Sequence, residues 1–184
     1  MKKTVSILCI AVLLICAGCS KKPTEKEISN YIGEGMMTNF RLLFSENEFF
    51  VNEVFINSHL PVNASETVQK DGKTYAKVIS DKYGSFQALE SAVRAVYSAE
   101  ASEKLLKEKN FYADINGSLY FDTSADFEKT EGPVWNFEKI KTVSTGEKEY
   151  VFGIPCKNGK KTSSSEFKVI LDNNDWRLAE VYTK

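Results

Sequence analysis

One histidine, His59, and four cysteines give this 184-residue chain little with which to hold a metal or build a nucleophile. Metal sites need clusters of His, Cys or carboxylate ligands at workable spacing. No H-E-x-x-H pair, Gly-rich phosphate loop or nucleophile elbow occurs. No metal and no cofactor are therefore expected. Cys156 and His59 formally supply a Cys–His pair. His59, however, stands in a turn before Pro61, and Cys156 stands at a strand end, where cysteine usually serves as a small buried hydrophobe. The chain is read as non-enzymatic; a cysteine hydrolase would need those two side chains within hydrogen-bond reach. Nor is there a basic excess. Lys and Arg number 24 against 25 Asp and Glu, for a net charge of −1, and nucleic-acid binding wants a basic stripe.

Long apolar runs are also missing, with one exception at the start. Met1-Lys2-Lys3 is followed by an almost unbroken apolar run from Val5 to Ala17, then Gly18-Cys19 and polar Ser20-Lys21-Lys22-Pro23. A basic start, an apolar stretch of about 7–15 residues and small residues before a cut make a secretory signal peptide. A spanning helix needs about 20 apolar residues, which disfavours an uncleaved anchor. The cysteine directly after those small residues resembles the lipobox of bacterial lipoproteins. There the thiol is diacylated and the preceding peptide removed. Cys16 stands where Leu is usual, and bulky Ile15 makes Cys16 itself a poor acylation site, so Cys19 is the expected lipid site. Acyl chains contribute about 0.8 kcal/mol per buried methylene, and stable anchoring takes more than one chain. The expected location is the outer face of the bacterial cytoplasmic membrane, with residues 1–18 a signal peptide, 19–23 a lipid-anchored tether and 24–184 a single domain. Loss of Cys9 and Cys16 with the peptide, and acylation of Cys19, leave Cys156 alone. No intramolecular disulfide is then possible, and the domain must be stable through its core.

The hydrophobic pattern of that domain starts helical. Thr24 and Glu27 form a capping box. Ile28, Tyr31, Ile32, Met36, Phe40, Leu43 and Phe44 then recur at spacings of three and four, with Gly33 and Gly35 as a weak point. Residues 49–56 read as a short strand leading to a turn at His59-Leu60-Pro61. Asp71-Gly72 predicts a hairpin between Val68 and Ile79. Ser85 caps a helix carrying Phe86, Leu89, Val93 and Val96, and Ser98 caps another from Ala99 to about Lys109. Asn116-Gly117 predicts a second hairpin over 111–121. A polar, acidic connection spans 122–133. Three long strands follow at about 135–145, 149–155 and 161–171, and a last one at 176–182. The order predicts an α+β fold: N-terminal helices packed on a curved antiparallel β-sheet.

In the acidic connection, Asp122, Asp126, Glu128 and Glu131 are opposed only by Lys129. They are the candidate partner-binding residues, an acidic surface for a basic partner. A solvated loop that is acidic by chance is the plainer alternative. Trp135 and Trp176 read as core.

One ordered set of motifs carries a family resemblance. Asp71-Gly72-Lys73-Thr74-Tyr75 is followed by Lys82-Tyr83-Gly84-Ser85-Phe86, a helix to Val96-Tyr97, then Phe111-Tyr112 and Asn116-Gly117-Ser118-Leu119-Tyr120. This order resembles the DL-endopeptidase inhibitor (IseA) family of Gram-positive bacteria, over roughly residues 40–184. The resemblance implies a surface protein that binds and inhibits a peptidoglycan D,L-endopeptidase, an NlpC-type cysteine peptidase, by occluding its active-site cleft. The matching residues are turn glycines and core positions such as Phe86, Leu119 and Tyr120, so no inhibitory residue is carried over. The lipobox is a departure from that family. The helix-then-sheet layout also resembles the nuclear-transport-factor-like and cystatin-like superfolds, an analogy of fold and not of function. The competing expectation is a small-molecule-binding lipoprotein with a pocket between helices and sheet.

Overall fold

Three type-I′-like turns set the sheet architecture. Asp71-Gly72, Asn116-Gly117 and Asn173-Asn174 all adopt positive φ at both central positions, the geometry whose twist matches paired antiparallel strands. The computed structural model describes residues 32–184. The expected signal peptide, the expected lipid site Cys19, the expected tether and the expected Thr24–Glu27 capping box lie outside the described residues.

The elements run α1 (Glu34–Phe49), a π-helical turn (Phe50–Phe55), β1 (Val62–Lys70), β2 (Lys73–Val78), α2 (Phe86–Val96), α3 (Ala99–Glu108), β3 (Tyr112–Ile115), β4 (Ser118–Asp122), β5 (Val134–Trp135), β6 (Lys141–Thr145), β7 (Glu149–Asn158), β8 (Lys161–Asp172) and β9 (Asp175–Leu178). The fold is α+β and antiparallel, as expected. The single curved sheet is corrected to two. Pairing of β2 with β4 joins the two early hairpins into a four-stranded sheet, order β1-β2-β4-β3, and the C-terminal strands form a second sheet, order β5-β7-β8-β9, with β6 also on β7.

The Ser85 and Ser98 caps form as predicted: their hydroxyls accept from the Ala88 and Ala101 amides. Two local expectations are corrected. Residues 50–55 continue α1 as a π-helical turn and not a strand, because Phe50, Val51, Val54 and Phe55 are all buried. The expected strand 135–145 is broken in two. Asn136 caps a tight turn, accepting from the Glu138 amide with its side chain and from the Lys139 amide with its carbonyl. That turn folds Phe137 back to stack on Phe44.

The helical rod of α1 and its π turn is the layer the two sheets share. Phe40 meets Tyr150, Phe152 and Trp176 with ring centroids 5.3–5.6 Å apart, and Phe44 meets Phe152 and Phe167. These contacts seat α1 on the C-terminal sheet. Further along, Phe55 meets Tyr112 edge-on, which seats the π turn on the four-stranded sheet. Each buried ring contributes roughly 1.5–3 kcal/mol by leaving water.

One buried polar residue locks the rod in place. Asn47 is fully buried. Its Nδ2 donates to the Tyr182 carbonyl, while its Oδ1 accepts from the Tyr182 amide and the Tyr97 hydroxyl, all at 3.0 Å. Burial pushes the Tyr97 phenol far above its ordinary range, so it remains a donor. Asn47→Leu removes all three bonds and leaves buried groups unpaired. The expected loss is about 3 kcal/mol, read as a lower urea midpoint with an unchanged slope.

Candidate functional site

The acidic connection between β4 and β5 begins with a residue that turns inward. Asp122 ends β4 with 1 % of its surface exposed. Its Oδ2 lies 2.8 Å from Lys73 Nζ, and its Oδ1 accepts from the Ser124 amide and hydroxyl. Burial alone would raise this carboxyl. The Lys73 bond, the two Ser124 bonds and the Lys73 charge outweigh it, and the net direction is down. Asp122 is therefore corrected from a docking residue to a structural one. It anchors the start of the loop, beside Thr123, whose amide and hydroxyl both donate to the Thr74 carbonyl.

The far end of the loop is held by a polar clip that the π turn creates. Asn52 lies inside the π turn and Asn57 just past its end, where the Asn57 amide donates to the Val51 carbonyl. Asn52 and Asn57 are five apart, and Asn57 Nδ2 donates to Asn52 Oδ1 at 3.0 Å. Each amide then reaches the loop. Asn52 Nδ2 donates to the Pro133 carbonyl at 2.9 Å. Asn57 Oδ1 accepts from the Thr130 hydroxyl at 2.8 Å, and its carbonyl accepts from the Thr130 amide. Gly132 lies so close that a Cβ there would overlap both carboxamides.

Midway, Phe127 plugs the loop into the molecule, edge-on to His59, Phe111 and Phe121. The remaining acidic candidates, Asp126, Glu128 and Glu131, are exposed, as is Lys129 between them. Three anchors thus hold the segment while its charged side chains face water. No local pattern in the sequence marks Asn52, Asn57 or Gly132: the two amides meet only because the chain folds back as it leaves the π turn.

His59 and Cys156 are placed apart. His59 belongs to the aromatic plug: its ring stacks on Phe121 at 4.1 Å, and Nδ1 donates to the Leu60 carbonyl. Cys156 lies in β7 of the other sheet, paired with Trp135 and Ser163. Burial pushes its thiol up against the opposing hydrogen bonds of Ser163 and Ser165, the reverse of what a nucleophile needs. The two side chains share no partner, and the Cys–His pair is not formed.

Nor is the space between helices and sheet hollow. Among the described residues, twenty-six buried side chains fill it as one cluster. A cleft of about 360 Å³ lies between α3 and the C-terminal segment, open to solvent and ringed by Glu100, Lys104, Glu108, Lys109 and Glu180. Among the described residues no three His, Cys, Asp or Glu gather to hold a metal, and no helix is long and apolar enough to cross a membrane. No family model matches this chain, and no curated protein sequence matches it.

Two outcomes follow from the anchors. Asp122, its pKa lowered by folding, adds stability above its unfolded pKa of about 3.9, and that stability is lost as pH falls through its lower folded value. Asp122→Asn should therefore lower the melting temperature at pH 7, with the gap to the parent narrowing as pH falls below that unfolded pKa. Gly132→Ala should open the clip, destabilising the fold by about 1–3 kcal/mol. It should also make the bonds between residues 123 and 133 the first cleaved in limited proteolysis.

Proposed function

We propose that this chain is a cell-surface lipoprotein, anchored through acylated Cys19, that binds a peptidoglycan D,L-endopeptidase and inhibits it by occluding the active-site cleft. The observation carrying this reading is the clipped loop. It is an exposed segment held in one conformation by Lys73, Phe127 and the Asn52–Asn57 pair, presenting Asp126, Glu128 and Glu131 outward. Preordered loops bind without first losing conformational freedom, and carboxylates steer a basic partner and set its register. The filled core and the aromatic environment of His59 also support action through a surface. The resemblance of the Asp71–Tyr120 motifs to the DL-endopeptidase inhibitor family supplies the partner class.

Occlusion needs no turnover. The loop would sit across the groove of an NlpC-type peptidase, its backbone kept rigid enough to resist productive alignment with the catalytic thiolate. Acylation of Cys19 would restrict this to enzymes near the membrane face of the wall.

Purified chain, titrated into NlpC-type endopeptidases acting on muropeptides, should slow hydrolysis. Joint replacement of Asp126, Glu128 and Glu131 by Lys should weaken that inhibition by about tenfold or more without changing the melting temperature. Undiminished hydrolysis across several such enzymes at micromolar inhibitor sinks the proposal. Equal inhibition by parent and triple variant removes the loop from the interface.

A further inference from the structure

Strand β8 is twelve residues long and β9 only four. Along one side β8 pairs with β7 from Lys161 to Ile170 in unbroken register. Along the other side β9 covers only Val169 to Asp172. The next backbone groups on that side belong to Lys168: its carbonyl accepts from the Ala179 amide and its amide donates to the Tyr182 hydroxyl. Beyond Lys168 no described strand continues the ladder; the C-terminal segment meets β8 there through side chains, the Phe167 ring stacking on Tyr182 and the Ser165 hydroxyl donating to the Lys184 carbonyl. In an antiparallel strand the amide and carbonyl of one residue point to the same side, and the side alternates. Since those of Lys168 face the β9 side, so do those of Thr162, Ser164 and Glu166. The result is an edge of three donors and three acceptors, about one ordinary strand in length, on exposed residues.

The molecule's other long edge is differently built. In β1 the register shifts between Asn63 and Thr67. The intervening residues bulge out, with the Asn63 side chain accepting from the Ser65 amide and Glu66 tied to Lys77. Bulges of that kind blunt an edge against strand addition. The β8 edge has no bulge and no proline. What it has is charge at its hairpin end, where Lys157, Lys160, Lys161 and Lys184 are all exposed. Lys160, Lys161 and Lys184 line a shallow groove of about 700 Å³ across the β7–β8 hairpin, together with Cys156 and Asn158 of β7 and Thr162 and Ser163 of β8. Glu166 stands alone toward the other end.

We propose that the β8 edge from Lys161 to Glu166 is a docking site for an extended, acidic peptide segment, added as a further strand of the C-terminal sheet. Backbone bonds to Thr162, Ser164 and Glu166 supply affinity, as in other β-strand additions. The lysines at the hairpin tip select acidic side chains and orient them toward that end. The site lies on different strands from the acidic loop, so its failure leaves the inhibitor reading standing, and the converse holds.

The probe is a capped, labelled octapeptide of alternating valine and glutamate, with a valine–lysine octapeptide as its counterpart, titrated against the full chain by fluorescence anisotropy. The glutamate peptide should bind saturably and the lysine peptide about tenfold or more weakly. Ser164→Pro removes one edge-facing donor at a position where an edge strand accommodates proline, and should weaken binding by about tenfold. Joint Lys160→Glu and Lys161→Glu replacement, which leaves the backbone intact, should invert the peptide preference. Amide exchange gives the independent reading. In the free chain the Thr162, Ser164 and Glu166 amides should exchange fast while those of Ser163, Ser165 and Phe167 are protected, and the glutamate peptide should slow the first three. The proposal is overturned if those three are already protected in dilute free chain. Absent binding, equal affinity for both peptides, or protection arising only from self-association at high concentration would overturn it too.

Discussion

The fold depends on how one helical rod is fixed between two sheets, and Asn47 fixes it. Aromatic packing alone would leave the rod free to slide, since Phe40, Phe44, Phe50 and Phe55 offer apolar faces tolerant of small shifts. Asn47 converts that tolerance into a single position. It bonds Tyr97 on the segment joining α2 to α3 and both backbone groups of Tyr182 on the C-terminal segment. Those two segments are themselves joined by the Tyr97–Leu178 bridge and by the Ser98 amide on the Leu178 carbonyl. A buried amide with every bond made specifies geometry where a leucine would only fill volume. The end of α1 and the chain's last residues are thus set in one place.

That fixed position is transmitted along the rod to the acidic loop. The π turn begins where α1 ends, and the chain leaving it carries Asn57 back beside Asn52. Neither amide alone could hold the loop. Linked, they spread three contacts over Thr130 and Pro133, with Gly132 admitted only because it lacks a side chain. The loop's other anchors come from the four-stranded sheet through Lys73–Asp122 and from the Phe121–His59–Phe127 stack. The segment with the least regular structure therefore draws on the rod and on one sheet for its shape, and its charges are presented by a scaffold more than by the loop itself.

Which of these features could be read from residue order alone follows from the range of the interactions. Asp71-Gly72 and Asn116-Gly117 require positive φ within two residues, and Ser85 and Ser98 cap helices three residues on, so each announces itself locally. The hairpins and the boundaries of α2 and α3 came out as expected for that reason. Phe-Phe-Val-Asn-Glu-Val-Phe-Ile over 49–56 carries no such local mark. Its apolar residues suit either a strand or a helix buried on most sides, and only the two flanking sheets decide. The break between β5 and β6 is similar: Asn136 permits a turn, but the pocket beside Phe44 for Phe137 makes the turn form. Asp122 looked like its acidic neighbours because composition ignores direction. Its partner, Lys73, lies across the sheet, brought there by β2–β4 pairing that no local pattern predicts.

A filled interior moves the question of function to the surface, and the two surface features differ in what they can contribute. The loop offers three exposed carboxylates on a restrained backbone. Exposed charges act mainly on encounter rate and register, since water screens them once contact is made. Affinity at that surface must come from the restrained backbone, which loses little freedom on binding. The β8 edge has the opposite balance. Its backbone groups make directional bonds of roughly 0.5–1.5 kcal/mol each, and its lysines choose among partners. A partner using only the loop would associate fast and dissociate fast. One that also laid a strand along β8 would be held by backbone bonds spread over six residues, and its dissociation would be governed by the C-terminal sheet and not by the loop.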